Sequence, residues 1–219
     1  MHDMRFPNEP KAYRAARHKL LRAEMALRKQ VEAVAALRRK LPAGGEVPGD
    51  YVFEGESGKV KLSELFERGE TLVAYSFMYG PKMEKACPMC TAMLDALNGN
   101  AQHVAQRTNL VVIAKSPIAR ILEYARGRGW SNLRLLSSAG SSYNADYHGE
   151  SAEGGQLPML NVFVRRKGAI RHFYATELLF ARTDPGQNNR HVDAIWPLWN
   201  LLDFTPEGRG KDWYPKLQY

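Results

Sequence analysis

The 219-residue chain is poor in cysteine, having only Cys87 and Cys90. Two cysteines so close together exclude a disulfide-stapled scaffold. Long apolar runs are also missing. No stretch approaches the roughly 20 apolar residues of a membrane-spanning helix, so no membrane span is expected. The opening Met1-His2-Asp3-Met4-Arg5-Phe6-Pro7 lacks the apolar stretch of a secretory signal, and the expected compartment is the cytoplasm. The histidines His2, His18, His103, His148, His172 and His191 include no pair at the spacing of roughly three to five residues that zinc sites favour. There is no long low-complexity tract, and 44% apolar content with 10% aromatics describes one globular domain plus extensions.

The two cysteines form Cys87-Pro88-Met89-Cys90. Before them, Leu72-Val73-Ala74-Tyr75-Ser76-Phe77-Met78 is an apolar, aromatic run that reads as a buried strand, ended by Tyr79-Gly80-Pro81. After them, Met93, Leu94 and Leu97 recur at helical spacing, and Asn98-Gly99-Asn100 reads as the helix stop. Cys87 is thus expected at the helix's first turn, where unpaired N–H groups and the helix dipole favour a thiolate. It is the candidate nucleophile, and Cys90, one turn on and less exposed, the candidate resolving thiol. Three plainer roles compete. A disulfide over so short a loop removes little unfolded-state entropy, CxxC alone supplies half a zinc shell, and free cysteines often serve as small buried hydrophobes. In a reducing compartment a lone CxxC is more naturally catalytic or redox-sensing.

Further along, Asn109 to Ala114 reads as a strand, with Ser116 as N-cap and Pro117 as first residue of a helix reaching about Gly127. Ile118, Ile121, Leu122 and Tyr124/Ala125 form its apolar face, and Arg120, Glu123, Arg126 and Arg128 are expected in solvent. Leu133 to Leu136 is another strand, and Ser137 to Ser142 a loop. Gly155-Gln156-Leu157-Pro158-Met159-Leu160-Asn161-Val162-Phe163-Val164, then Arg165-Arg166-Lys167-Gly168 and Ala169 to Phe173, form a proline-led hairpin. That pattern is similar to the cis-proline hairpin of the thioredoxin superfamily. The resemblance implies that Pro158 is cis and faces the dithiol, whereas position alone equally allows a trans proline at a strand's first residue. The order of elements implies an α/β class, a thioredoxin-like three-layer fold with a mixed central sheet, plus a long N-terminal helix and a C-terminal extension. The boundaries expected are 1–45, 46–180 and 181–219.

Together Arg38-Arg39-Lys40-Leu41-Pro42, Tyr51-Val52-Phe53-Glu54-Gly55, Phe77-Met78-Tyr79-Gly80-Pro81, the CxxC motif, Ser137-Ser138-Ala139-Gly140-Ser141 and Leu201-Leu202-Asp203-Phe204-Thr205-Pro206-Glu207-Gly208-Arg209 resemble a bacterial family. It is the domain of unknown function numbered 899, described as thioredoxin-like predicted dithiol-disulfide oxidoreductases. The resemblance implies the fold, and redox roles for Cys87 and Cys90, without naming a substrate. Peroxiredoxins place a Pro-x-x-x-Thr-x-x frame before their reactive cysteine. Here Gly80 and Glu84 occupy those proline and threonine positions, with Pro81 one place late, which weighs against a thiol peroxidase. Thioredoxin itself has Gly-Pro between its cysteines where this chain has Pro-Met.

Residues 1–40 hold eleven Lys/Arg against four acids, a net +7 of the chain's +8. Pro10 to Leu41 reads as one helix with Tyr13, Leu20, Leu27, Val34 and Leu41 seven apart. A basic stripe gives footing for nucleic acid but no base-reading motif accompanies it. Packing on the helix's own domain or on a second subunit is the stronger expectation, with a homodimer the better choice. Trp196, Trp199, Trp213, Phe204, Tyr214 and Tyr219 are expected to pack in the core, or else to line a groove beside the dithiol. Arg120 and Arg126 are candidates to hold substrate or a thiolate. Lys85 is placed to lower the Cys87 pKa by charge, and Glu84 to oppose that or accept a proton. The expected function is thiol–disulfide exchange through a mixed disulfide, with catalytic Cys87 and Cys90, Pro158 shaping the substrate groove, a protein or small-molecule disulfide as substrate and an external thiol reductant. No metal or organic cofactor is expected. The alternative from another class is a binding or regulatory module that uses CxxC as a redox switch.

Overall fold

The structure, a computed structural model, describes residues 4–183, 185, 195–210 and 213–219. His2, His191 and part of the stretch expected as a C-terminal extension lie outside the described residues. The chain divides into two compact units, 1–42 and 43–219. The first is built on α1 (Lys11–Arg39), whose last turn carries Arg38 and Arg39 at the negative end of the helix dipole. None of its residues is buried, and the seam residues Leu20 and Leu27 are exposed. Among the described residues no helix is long and apolar enough to cross a membrane.

Among the described residues the second unit holds seven strands: β1 (Val52–Gly55), β2 (Gly58–Lys61), β3 (Thr71–Ser76), β4 (Asn109–Ala114), β5 (Leu135–Ser137), β6 (Met159–Arg166) and β7 (Ala169–Ala175). They form one mixed sheet in the order β2-β1-β5-β4-β3-β6-β7. β3, β4 and β5 run parallel, whereas β6 pairs antiparallel with both β3 and β7. The described residues of the unit also form four α-helices: α2 (Pro88–Val104), α3 (Ile118–Arg128), the single turn α4 (Tyr143–Asp146) and α5 (Pro197–Leu202). A central strand leading to the CxxC helix, a parallel neighbour after that helix and a proline-led antiparallel hairpin on the other side make this a thioredoxin-like α/β fold.

The central strands are apolar on both faces because both faces are covered. Period-2 alternation sorts their side chains between two cores. Tyr75, Val112, Ala114 and Leu135 pack with Cys90, Met93 and Leu94 of α2 and with Ile121 and Ala125 of α3. Leu72, Ala74, Val111, Ile113, Leu136 and Phe163 pack on the opposite side with Phe53, Leu62 and Tyr143. The C-terminal aromatics divide. Trp196 and Trp199 are buried in the α2 core, whereas Phe204, Trp213, Tyr214 and Tyr219 are exposed.

Several local expectations need correction. α2 does not stop at Asn98-Gly99-Asn100 but continues to Val104, burying Ala101 beyond the presumed break. A mid-helix glycine costs about 1 kcal/mol, which tertiary burial of the following turn outweighs. α3 begins at Ile118 with Pro117 as N-cap, and no side chain caps it. The Ser116 hydroxyl instead accepts from the Arg120 guanidinium at 3.5 Å, while its backbone N–H donates to the Tyr79 carbonyl and its carbonyl accepts from the Ser137 hydroxyl. β5 starts two residues later than expected. The β1–β2 hairpin has no counterpart in the sequence expectations.

Because Trp199 is fully buried beside α2, Trp199→Ala is expected to cost about 3–5 kcal/mol. A urea denaturation series reads this as a lowered midpoint at unchanged slope. A loss under about 1 kcal/mol would show that α5 is not integral to the domain.

Candidate active site

A chain leaving a parallel strand must turn before it can start a helix, and here the turn is pinned at both ends. Just past β3, the Phe77 N–H donates to the Ile113 carbonyl, and the Cys87 N–H donates to the Met78 carbonyl at 3.1 Å. Residues 79–86 form the loop between these ties. Arg120 holds it: its guanidinium donates to the carbonyls of Gly80 (3.3 Å), Met83 and Glu84 (3.1 Å), and lies 4.4 Å from the centre of the Tyr79 ring. Arg120 is therefore neither a solvated residue nor a thiolate partner, because three carbonyls and an aromatic face occupy the guanidinium. Arg128 is likewise engaged, with the Asp95 carboxylate and the Leu217 carbonyl, whereas Glu123 and Arg126 are exposed as expected.

Cys87 is the N-cap of α2 and Pro88 the first helical residue. Proline suits that place, since an N–H there would find no intrahelical partner. The N-cap acceptor, ordinarily a serine or aspartate oxygen, is here a sulfur: Cys87 Sγ accepts from the Cys90 N–H at 3.4 Å. The Thr91 hydroxyl donates to the Cys87 carbonyl at 2.9 Å. Both cysteines are free thiols, Cys87 half-buried and Cys90 buried.

This geometry splits the two thiols. The Cys90 S–H donates to Cys87 Sγ and, with the N–H groups of Cys90 and Met89, brings the Cys87 pKa down to about 6 against an opposing cost of burial. The same hydrogen bond, together with burial, pushes the Cys90 thiol well above its ordinary value. Lys85 and Glu84 are exposed, and hydrogen bonding, not the charge of this pair, lowers the Cys87 pKa.

Both sulfurs face a cavity of about 230 Å³ lined by Tyr75, Met78, Met89, Met93, Pro158 and Trp196, with Leu179 and Phe180 at its side. The lining is apolar and carries no charged residue. Pro158 reaches it because β3–β6 pairing sets Met159 opposite Ser76, leaving the preceding residue at the sheet's end. The Leu157–Pro158 bond is trans, which corrects the expected cis form. Leu157 donates its N–H to the Gly149 carbonyl, and the extended approach to β6 accommodates the isomer that is preferred by about 0.5–1 kcal/mol. The three sequence-derived residues Cys87, Cys90 and Pro158 thus line one cavity. Tyr75, Met78 and the Arg120 clamp escaped the sequence reading. The parity of Tyr75 in its strand, which puts it on the α2 side, was the available signal. Among the described residues no cluster of three or more His, Cys, Asp or Glu is gathered for a metal ion.

If Arg120 fixes the loop, Arg120→Lys, which cannot serve three carbonyls in one plane, is expected to lose about 1–3 kcal/mol of stability and to speed amide exchange across residues 79–87. Unchanged exchange in that loop would refute the clamp.

The solved structures similar to this chain include peroxidoxin BcpB from Mycobacterium tuberculosis, at 18% identity over 71% of this chain and 94% of that one, with a TM-score of 0.47. Thioredoxin peroxidase I of Plasmodium yoelii matches at 17% identity over 74% and 91%, with a TM-score of 0.44. A secreted disulfide oxidoreductase of Mycobacterium tuberculosis, homologous to E. coli DsbE, matches at 15% identity over 67% and 93%, with a TM-score of 0.39. Among curated proteins none matches the sequence significantly. Residues 4–219 match the model of one family over nearly the whole chain, and the protein is a member of it: the bacterial proteins of unknown function designated DUF899.

Proposed function

We propose that this protein is a thiol–disulfide oxidoreductase whose working group is the Cys87–Cys90 dithiol. The supporting observation is a pair of free thiols lining one apolar cavity, with Cys87 Sγ capping α2 by accepting from the Cys90 N–H, an arrangement that lowers the Cys87 pKa and raises that of Cys90. Cys87 thiolate attacks one sulfur of a substrate disulfide, forming a Cys87–substrate mixed disulfide and releasing the other half as a thiolate. Cys90 then attacks Cys87 Sγ, the substrate's remaining sulfur departs as a thiol, and a Cys87–Cys90 disulfide is left. Two electrons pass from the dithiol to the substrate, and an external thiol reductant returns them. The chemistry needs no metal or organic cofactor. Pro158 borders the place where the substrate sulfur arrives. Methionine's flexible thioether adapts to irregular apolar groups, so Met78, Met89 and Met93 suit a substrate with an apolar group beside its disulfide.

A glutathione redox titration, read by thiol-labelling mass, tests this. A reversible two-electron transition is expected, with turnover of a model disulfide lost in Cys87→Ser. Absence of any disulfide across the accessible range would refute the reading. Turnover of peroxide but not of disulfides would instead make the protein a thiol peroxidase, and partner binding unaffected by Cys87→Ser would favour the redox-switched docking module.

The ionisation has its own signature. Since the anion is the reactive form, alkylation of Cys87 by iodoacetamide is expected to be fast at pH 8 and to fall as pH drops through about 6. In Cys90→Ala the largest cause of the shift is gone, and the midpoint is expected to rise toward the free-thiol value of about 8.5. A wild-type midpoint already near that value would overturn the activated thiolate.

A further inference from the structure

Resolution of the mixed disulfide puts a demand on Cys90 that the resting dithiol does not. In the resting state its S–H has an anionic acceptor in Cys87 Sγ. Once Cys87 is joined to substrate, that sulfur is neutral, and Cys90 must itself become an anion in order to attack. It does so at 5% exposure, in a lining without charged residues. A thiolate forming in such a place is costly unless donors meet it.

Tyr75 and Met78 line the same cavity as Cys90, and Tyr75 packs in the same core cluster; the Tyr75 hydroxyl and the Met78 N–H both favour the Cys90 anion, against the burial that opposes it. Tyr75 belongs to β3, held between Val112 of β4 and Leu160 of β6 in the sheet register. Strand alternation turns it toward α2, and the ring is 3% exposed while lining the same cavity as both cysteines. Burial raises its own pKa well above the ordinary tyrosine value. The hydroxyl therefore keeps its proton at neutral pH and acts as a donor, not as a base.

We propose that Tyr75 is a catalytic residue of the resolving step, its hydroxyl donating a hydrogen bond to the Cys90 thiolate as that thiolate forms and attacks Cys87 Sγ. The Cys90–Cys87 bond forms, the Cys87–substrate bond breaks, and the departing substrate thiolate takes up the equivalent of the proton Cys90 released. Tyr75 keeps its own proton throughout. Attack by Cys87 in the first step makes no use of this hydroxyl. The role rests on the oxidoreductase reading and deepens it.

5,5′-Dithiobis(2-nitrobenzoate), mixed with an excess of reduced protein, separates the steps, because the first coloured thiolate reports attack by Cys87 and the second reports resolution by Cys90. In Tyr75→Phe the first release is expected within about twofold of wild type and the second slowed about tenfold, as for loss of a hydrogen bond to a charged group. Equal second rates in the two proteins would overturn the proposal, and so would equal slowing of both phases, which is what a packing defect produces. Should Tyr75→Phe fail to fold, 3,5-difluorotyrosine at position 75 supplies a more acidic donor of similar size. Below pH 7, where it stays protonated, it is expected to sustain or raise the second rate, and a slowed second phase with the first intact would overturn the proposal. A wild-type protein that never releases the second thiolate would sink the oxidoreductase reading itself, an outcome distinct from a Tyr75→Phe that resolves normally.

Discussion

One hydrogen bond organises the site: the Cys90 N–H donated to Cys87 Sγ. It caps a 17-residue helix with a sulfur atom, and so makes the candidate nucleophile part of the helix's own termination. The first-turn N–H groups of a helix lack intrahelical acceptors. Pro88 has no N–H to satisfy, which leaves those of Met89 and Cys90 turned toward the sulfur, and both lower the Cys87 pKa. The intervening pair thus has a structural consequence. Proline suits the first helical position, and methionine adds an apolar side chain to the cavity wall.

That cap holds its place because the sheet holds the loop before it. β3 is paired on both sides, and the chain leaving it is tied within one residue by Phe77 and again at Cys87. Between these points the backbone turns through eight residues with few regular hydrogen bonds, and Arg120 supplies three of the missing donors from α3. The same doubly paired strand fixes Tyr75 opposite Cys90. Sheet register therefore positions the thiols from below, and α3 positions them from the side.

How much of this was legible in the sequence follows the range of the forces involved. β4 was readable to the residue, because the five apolar residues Leu110 to Ala114, between polar turns, have few other solutions. Cys87 at a helix start was readable from local chemistry alone. The continuation of α2 past Gly99 was not, because burial of Ala101 is a tertiary fact that outweighs a local penalty. Arg120 read as solvated for the same reason: on the helical wheel it faces outward, and only the fold brings the 80–84 carbonyls to it. The β1–β2 hairpin offers one fully buried side chain, Phe53, in eight strand residues, too weak an alternation to distinguish from a loop. The proline's position was legible and its isomer was not, since either form fits the same strand start.

The asymmetry between the thiols also bears on redox poise. Whatever stabilises the thiolate stabilises the reduced form relative to the disulfide, and makes the couple more oxidising. At pH 7 a thiol titrating near 6 instead of at the ordinary value of about 8.5 is mostly ionised, and that ionisation favours the reduced state. The raised pKa of Cys90 does not offset this, because at pH 7 a thiol of ordinary pKa is already almost wholly protonated, and raising it further changes nothing in either state. In the proposed exchange the hydrogen bonds at Cys87 Sγ, that of the Cys90 side chain foremost and those of the Cys90 and Met89 N–H groups with it, therefore act twice, favouring Cys87 as the attacking group and shifting the dithiol toward the oxidising end of its range.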